Sequence, residues 1–229
     1  VIVPQVAGAA APELDDLRLA CDTAIDRMLA AEPEIIFVVG GGPETTEFGP
    51  ADHGSLRPYG VDRRIQLMAA HGAGVPGLPL SLQIGAWLLH RAGAGCLRLG
   101  CGVAAGEPAA ECERLGVALV AAPDRRVALL VMGDGSACRG EKAPGYDDPR
   151  AQPYDDGVAA ALAGADAEAL LGLDPVLSTE LKVAGRAPWQ VLAGAVRAAG
   201  GAWRGALSYH AAPYGVAYFV ANWQREVTA

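Results

Sequence analysis

The chain has 229 residues, enough for one large domain or two small ones, and its 52% hydrophobic and 19% charged content excludes disorder. A net charge of −8, with basic residues single or in short pairs such as Arg63-Arg64 and Arg125-Arg126, argues against a nucleic-acid partner, which demands clustered Lys and Arg. No apolar run approaches the roughly 20 residues of a membrane span, no signal peptide is visible, and five irregularly spaced cysteines predict reduced thiols in a cytoplasmic protein rather than disulfides.

Leu14, Leu17, Cys21, Ile25, Met28 and Leu29 recur at helical spacing and predict a helix over 12–31, with Glu13, Asp15 and Asp16 in the first turn where the helix dipole favours acids. The β-branched run 35–39 predicts a central buried strand, ended abruptly by Gly40-Gly41-Gly42-Pro43. The polar stretch 44–62 lacks periodicity and reads as loop. A helix over 79–91, a strand over 96–103 and a short helix over 107–115 follow. The longest apolar runs, 117–122 and 127–132, have strand length, and 126–132 predicts a second interior strand broken by Gly133-Asp134-Gly135. Beyond a loop to residue 153, helices are predicted over 154–163, 165–171 and 188–199. Segments 203–209 and 216–220 read as strands flanking the turn Ala212-Pro213-Tyr214-Gly215. The expected fold is one domain over residues 1–229, an α/β structure whose mixed central sheet carries helices on both faces.

In such a sheet ligands gather beyond the carboxyl ends of strands, and two ends stand out. One presents Gly41, Gly42 and Glu44; the other presents Asp134 and Ser136. The glycines open the backbone to an anion or simply turn the chain. Neither end has the Lys of a phosphate loop, and Ser136 is out of place for a nucleophile elbow. His90 is expected to complement the end of its helix, His71 to be surface, and His53 to be able to fold back over the first glycine loop. His210, beside Tyr209 at a strand end, is expected to share a pocket with Asp134. Cys96 and Cys101 read as small core residues.

The order of Leu78-Pro79-Leu80-Ser81-Leu82, Gly133-Asp134-Gly135-Ser136, Pro144-Gly145-Tyr146-Asp147 before Tyr154-Asp155, and the segment from Tyr209-His210 through Pro213-Tyr214-Gly215 to Tyr218 resembles the class III extradiol ring-cleavage dioxygenases. The likeness is to the LigB-like superfamily, and within it to an alanine-rich, actinobacterial branch described only as extradiol dioxygenase-like. It spans nearly the whole chain and rests on order and spacing rather than on one motif. The resemblance implies a ferrous ion held by two histidines and a glutamate, with positions open for catechol and dioxygen and a further histidine as acid/base. Residue by residue, Asp134 and Ser136 match the family pattern. Gly40-Gly41-Gly42-Pro43 stands where the second ligand histidine follows its strand, Ala137 where the acid/base histidine belongs, and His210 or a neighbour where the glutamate belongs. The resemblance places the first ligand histidine just ahead of Val1, so that ligand is expected to be missing or never to have been present.

The expectation is therefore a degenerate site without a metal, in which Asp134 and His210 carry any remaining chemistry. Gly41, Gly42, Glu44, Ser136 and Tyr209 would bind a small, aromatic or anionic molecule without ring cleavage. The alternative is an active ring-opening dioxygenase with iron or zinc on His210, His53 and Glu44 or Asp134. A third reading is a structural or regulatory partner subunit or homo-oligomer. Glu44, Asp134 and His210 are expected to converge, and 35–39 and 127–131 to be interior strands buried on both faces.

Overall fold

The structure, a computed structural model, describes residues 2–69, 72, 74–121 and 125–226. Its contacts divide the chain into two units, each assembled from two segments: Val1–Gly102 with Asp124–Met132, and Val103–Pro123 with Gly133–Ala229.

The first unit opens with a short helix α1 (Pro4–Ala7) and a 3-10 stretch, Gly8–Leu14, which carry the chain into α2 (Asp15–Leu29). Pro12 lies inside the 3-10 turn, so the regular helix starts three residues beyond it. β1 (Ile35–Gly42) follows, then the short β2 (Thr46–Phe48), β3 (His53–Ser55) and β4 (Arg64–Gln66), α3 (Leu80–Arg91), β5 (Leu97–Ala104) and β6 (Val127–Met132). β3 and β4 pair antiparallel, so the stretch expected to be loop holds short strands that lack any alternating apolar signal.

Four strands form a mixed sheet in the order β2-β5-β1-β6, with β1 parallel to β6 and β2 antiparallel to β5. β1 is interior, as its sequence predicts, with Ile36, Val38 and Val39 fully buried, but Ile35 and Phe37 are only half-buried, short of the burial expected on both faces. α3 packs on β1 and β6. Gly85 makes this close, because a Cβ there would meet Val38 Cγ1 at 2.5 Å. The core gathers Ile36 and Val38 with Leu82, Ala86 and Leu89 of α3 and with Leu56, Ile65 and Leu67 of the β3–β4 region.

β6 departs from expectation. It ends the strand order, and all six residues are only half-buried. A continuous apolar run signals a covered strand but does not distinguish a central position from a terminal one with a single neighbour. The interior position expected for 127–131 is therefore not met.

The second unit contains α4 (Ala109–Leu119), α5 (Ala151–Gly164), α6 (Ala167–Leu171), α7 (Pro175–Glu180), α8 (Arg186–Ala199), β7 (Trp203–Ala211) and β8 (Tyr218–Arg225). Residues 117–119 of the strand-length run 117–122 belong to α4, and 122 lies outside the described residues. β7 and β8 pair antiparallel as a sheet of their own, with a register shift between Leu207 and Tyr209, rather than extending the four-stranded sheet. α5 covers this hairpin, while α8 packs on α4 and α6. Arg186, 3% exposed, donates to the carbonyls of Ala105 and Glu107 and to Gln190 Oε1, which satisfies a guanidinium buried without a carboxylate. No described helix is long and apolar enough to cross a membrane.

Candidate functional site

The loop after β6 is held from several sides within the second unit. A Cβ on Gly133 would stand 2.4 Å from Gly185 Cα, and the Gly185 amide donates to the Asp134 carbonyl at 2.8 Å. The Gly135 amide donates to Ala217 O at 2.8 Å and the Ala217 amide to Ser136 O at 2.9 Å, tying the loop to the entry of β8. Gly135 leaves room for Phe219 and for the Asp155 carboxylate, each within 3 Å of where a Cβ would stand.

Asp155 is the centre of this construction. Wholly buried on α5, it accepts the Ser136 amide at 2.8 Å, the Ser136 hydroxyl at 2.6 Å and Arg139 Nη1 at 3.0 Å. Arg139 Nη2 reaches Gln152 Oε1 at 2.7 Å. A buried carboxylate with three charge-assisted partners is a rigid anchor. Ser136 is itself wholly buried, so its hydroxyl positions the loop. The sequence pointed to Ser136 but not to its partner, 19 residues away.

What the anchored loop presents is Asp134. Its residue surface is exposed, yet enough protein surrounds the carboxyl for desolvation to push its pKa up to about 6. Nearby, burial pushes the Tyr218 phenol up to about 12, with Asp134, Tyr209 and Tyr214 adding to the rise. The hairpin register explains this grouping. Tyr218 pairs with Ala211 and Tyr209 with Val220, so Tyr209 and Tyr218 are diagonal neighbours on one face. His210 pairs with Phe219 on the other face, stacked on it at 4.8 Å and 25°, and Trp189 meets Phe219 edge-on at 5.8 Å. Asp134 is thus grouped with tyrosines, while His210 belongs to an aromatic stack.

Gly41, Gly42 and Glu44 lie in the first unit. Ser81 Oγ donates to Gly41 O at 2.6 Å, seating the first turn of α3 on the glycine run, and a Cβ on Gly40 would meet that Oγ at 2.7 Å. Glu44 is exposed. His53 Nδ1 lies 3.0 Å from Arg64 Nη2 across the β3–β4 pair. His90 sits in the last turn of α3, but burial and then Arg98 lower its pKa, so the expected dipole-complementing cation is disfavoured. His71 lies outside the described residues. None of the five cysteines is in a disulfide; Cys101 is buried and Cys96 is packed half-buried against the core.

These residues do not fit the ferrous site implied by the resemblance. Glycines have no side chain to donate, the His53 nitrogen faces a guanidinium that repels a metal cation, and the His210 ring lies flat against Phe219. Among the described residues no group of three or more His, Cys, Asp or Glu is placed to hold a metal. A depression of about 510 Å³ lies along Arg139, Gln152, Asp147 and Asp148. Of its charges, Arg139 is engaged by Asp155 and Asp148 by Arg150.

Compared with protein-family models and with curated proteins, the chain matches none.

Proposed function

We propose that the chain is a LigB-like protein that has lost the ferrous site of the class III extradiol dioxygenases and binds a small molecule without opening an aromatic ring. The observation that carries this reading is Asp134: a carboxyl that burial pushes up to about 6, on a loop fixed by the Ser136–Asp155 anchor and near Tyr218. Such a group exchanges between hydrogen-bond donor and acceptor close to neutral pH, which suits recognition of a polar ligand. Tyr209 belongs to this binding group, and Asp134 is the residue that holds or moves a proton. The motif order supports the family assignment. Cysteines outside any disulfide suit a reducing, cytoplasmic location.

Reconstitution with ferrous iron under anaerobic conditions, followed by oxygen-uptake measurements with catechol, tests the loss of ring cleavage. A parallel NMR titration with catechol tests binding. Saturable shifts at residues 133–136 and in the β7–β8 hairpin, with no oxygen uptake, are expected. Stoichiometric iron with turnover abolished by His210→Ala would instead identify an active ring-opening dioxygenase.

A further inference from the structure

We infer that the depression along Arg139, Asp147 and Gln152 is a second binding site, which takes a polar α-amino acid in its zwitterionic form. Residues 133–136 do not line it, so it stands or falls apart from the Asp134 reading. Its volume of about 510 Å³ is that of a small-molecule site, and all its lining residues belong to the second unit. The walls are fixed from behind. Arg139 is held at 3.0 Å by the wholly buried Asp155 carboxylate and at 2.7 Å by Gln152 Oε1. The Gly145 amide donates to Ala137 O at 2.8 Å and the Asp148 amide to Cys138 O at 3.1 Å, closing the loop that carries Asp147. Between those two bonds Tyr146 is held in the left-handed region (φ 64°). A bulky residue keeps that conformation only where its surroundings impose it, and such residues gather at ligand sites.

The charged groups on and behind this surface decide the class of ligand. A guanidinium has five N–H donors, and among the described residues Arg139 spends one on Asp155 and one on Gln152. Its side chain is 19% exposed, and the unspent donors suit a carboxylate, which accepts from a guanidinium in pairs. Asp148 is taken: hydrogen bonds from Arg150, itself shared with Glu180, hold its carboxyl down to about 2. Asp147 is exposed and has no ion-pair or hydrogen-bond partner among the described residues, so it supplies the point for an ammonium group. The remaining charge nearby is Lys182, whose Cδ lies 2.8 Å from where a Cβ on Gly145 would stand. Arg139, Arg150 and Lys182 thus oppose Asp147, Asp148, Asp155 and Glu180. A ligand of one sign meets repulsion from one of these sets, whereas a zwitterion pairs with both. Apolar side chains contribute only Pro149 and Ala212 among the larger lining groups, which favours a polar side chain on the ligand.

The discriminating probes are L-glutamine, 4-carbamoylbutanoate, which lacks its ammonium, and 4-aminobutanamide, which lacks its carboxylate, each titrated into the full chain by NMR. L-glutamine is expected to shift the amides of residues 138–140, 147, 148 and 152 saturably. Each singly charged analogue should bind about tenfold more weakly, the loss of one ionic contact. Asp147→Asn, a change at an exposed side chain, should weaken L-glutamine about tenfold and abolish its advantage over 4-carbamoylbutanoate alone. Arg139→Lys, which keeps a cation against Asp155 but loses the planar fork, should weaken L-glutamine and 4-carbamoylbutanoate and leave 4-aminobutanamide unchanged. No saturable shifts with L-glutamine, an analogue that binds as well as L-glutamine, or unchanged affinity in Asp147→Asn overturns the inference. Shifts confined to residues 133–136 overturn it while leaving the Asp134 reading standing.

Discussion

Asp134 and Asp155 are two carboxylates on the same framework with opposite environments. Asp134 has its pKa raised in the folded protein from 3.8 to about 6, so the folded state holds this proton more tightly than the unfolded chain does. Its contribution to stability is fully present below the unfolded value and is lost as pH rises through about 6. Asp134→Asn removes that loss. The variant's melting temperature should therefore gain on that of the parent between about pH 4 and about pH 7.5, and thermal melts across that range check the sign. Asp155 works the other way, as an acceptor whose removal strands its donors. Asp155→Ala leaves the Ser136 amide and hydroxyl and Arg139 without their shared acceptor, and should cost about 3–5 kcal/mol in chemical denaturation. Ser136→Ala deletes one of those bonds and should cost about 1.5–3 kcal/mol.

At the scale of elements, glycine has opposite meanings in two helices. In the α4–α8 contact a Cβ on Gly116 would stand 2.1 Å from Val191 O, and one on Gly194 would stand 2.3 Å from Glu113 O. Both neighbours are backbone, which yields only by moving a whole helix. Gly157 of α5 has nothing within 4 Å of an added Cβ. Gly157→Ala should stabilise by about 0.5–1 kcal/mol through helix propensity. Gly116→Ala, with the same propensity gain, should destabilise by about 1–3 kcal/mol through overpacking. Urea denaturation of the two variants separates propensity from packing. Periodicity made α2, α3, β1 and α8 legible in the sequence because each buries a continuous apolar stripe or run. The helix α7 was missed although its start was written in Asp174-Pro175, where the Asp174 carboxylate accepts the amides of Val176 and Leu177 and proline fits the first turn. Only six residues long, it offers too little periodicity to outweigh its surroundings. The edge position of β6 was illegible because apolar content reports covering, not neighbours. At the site, Asp134 and Ser136 were found as residues after a strand, but the role of Asp155 depends on a contact that only the fold creates. For His210 the sequence offered a position at a strand end but not its stacking partner, Phe219. A strand end fixes where a residue stands, and the hairpin's alternation decides which face it joins.

For the whole molecule, chain connectivity carries a consequence for folding. The second unit takes its segment Val103–Pro123 from between two segments of the first, so neither unit is one continuous stretch of sequence. That borrowed segment contains α4, which covers the α8 surface around Val191 and Ala195, both buried. It also supplies the Ala105 and Glu107 carbonyls that satisfy buried Arg186. A fragment of residues 133–229 would contain α5 to α8 and the hairpin but would expose this apolar face and leave a buried guanidinium short of acceptors. A fragment of residues 103–229 restores both. Hydrogen exchange should therefore show slow α8 amides and a cooperative melt for the longer fragment, and fast exchange with a broad, non-cooperative transition for the shorter one. Equal protection of α8 in the two fragments would mean that α4 is an ornament on a unit that folds without it. The glycine contacts, with backbone against backbone at Gly116 and Gly194, argue that α4 is instead part of that unit's core.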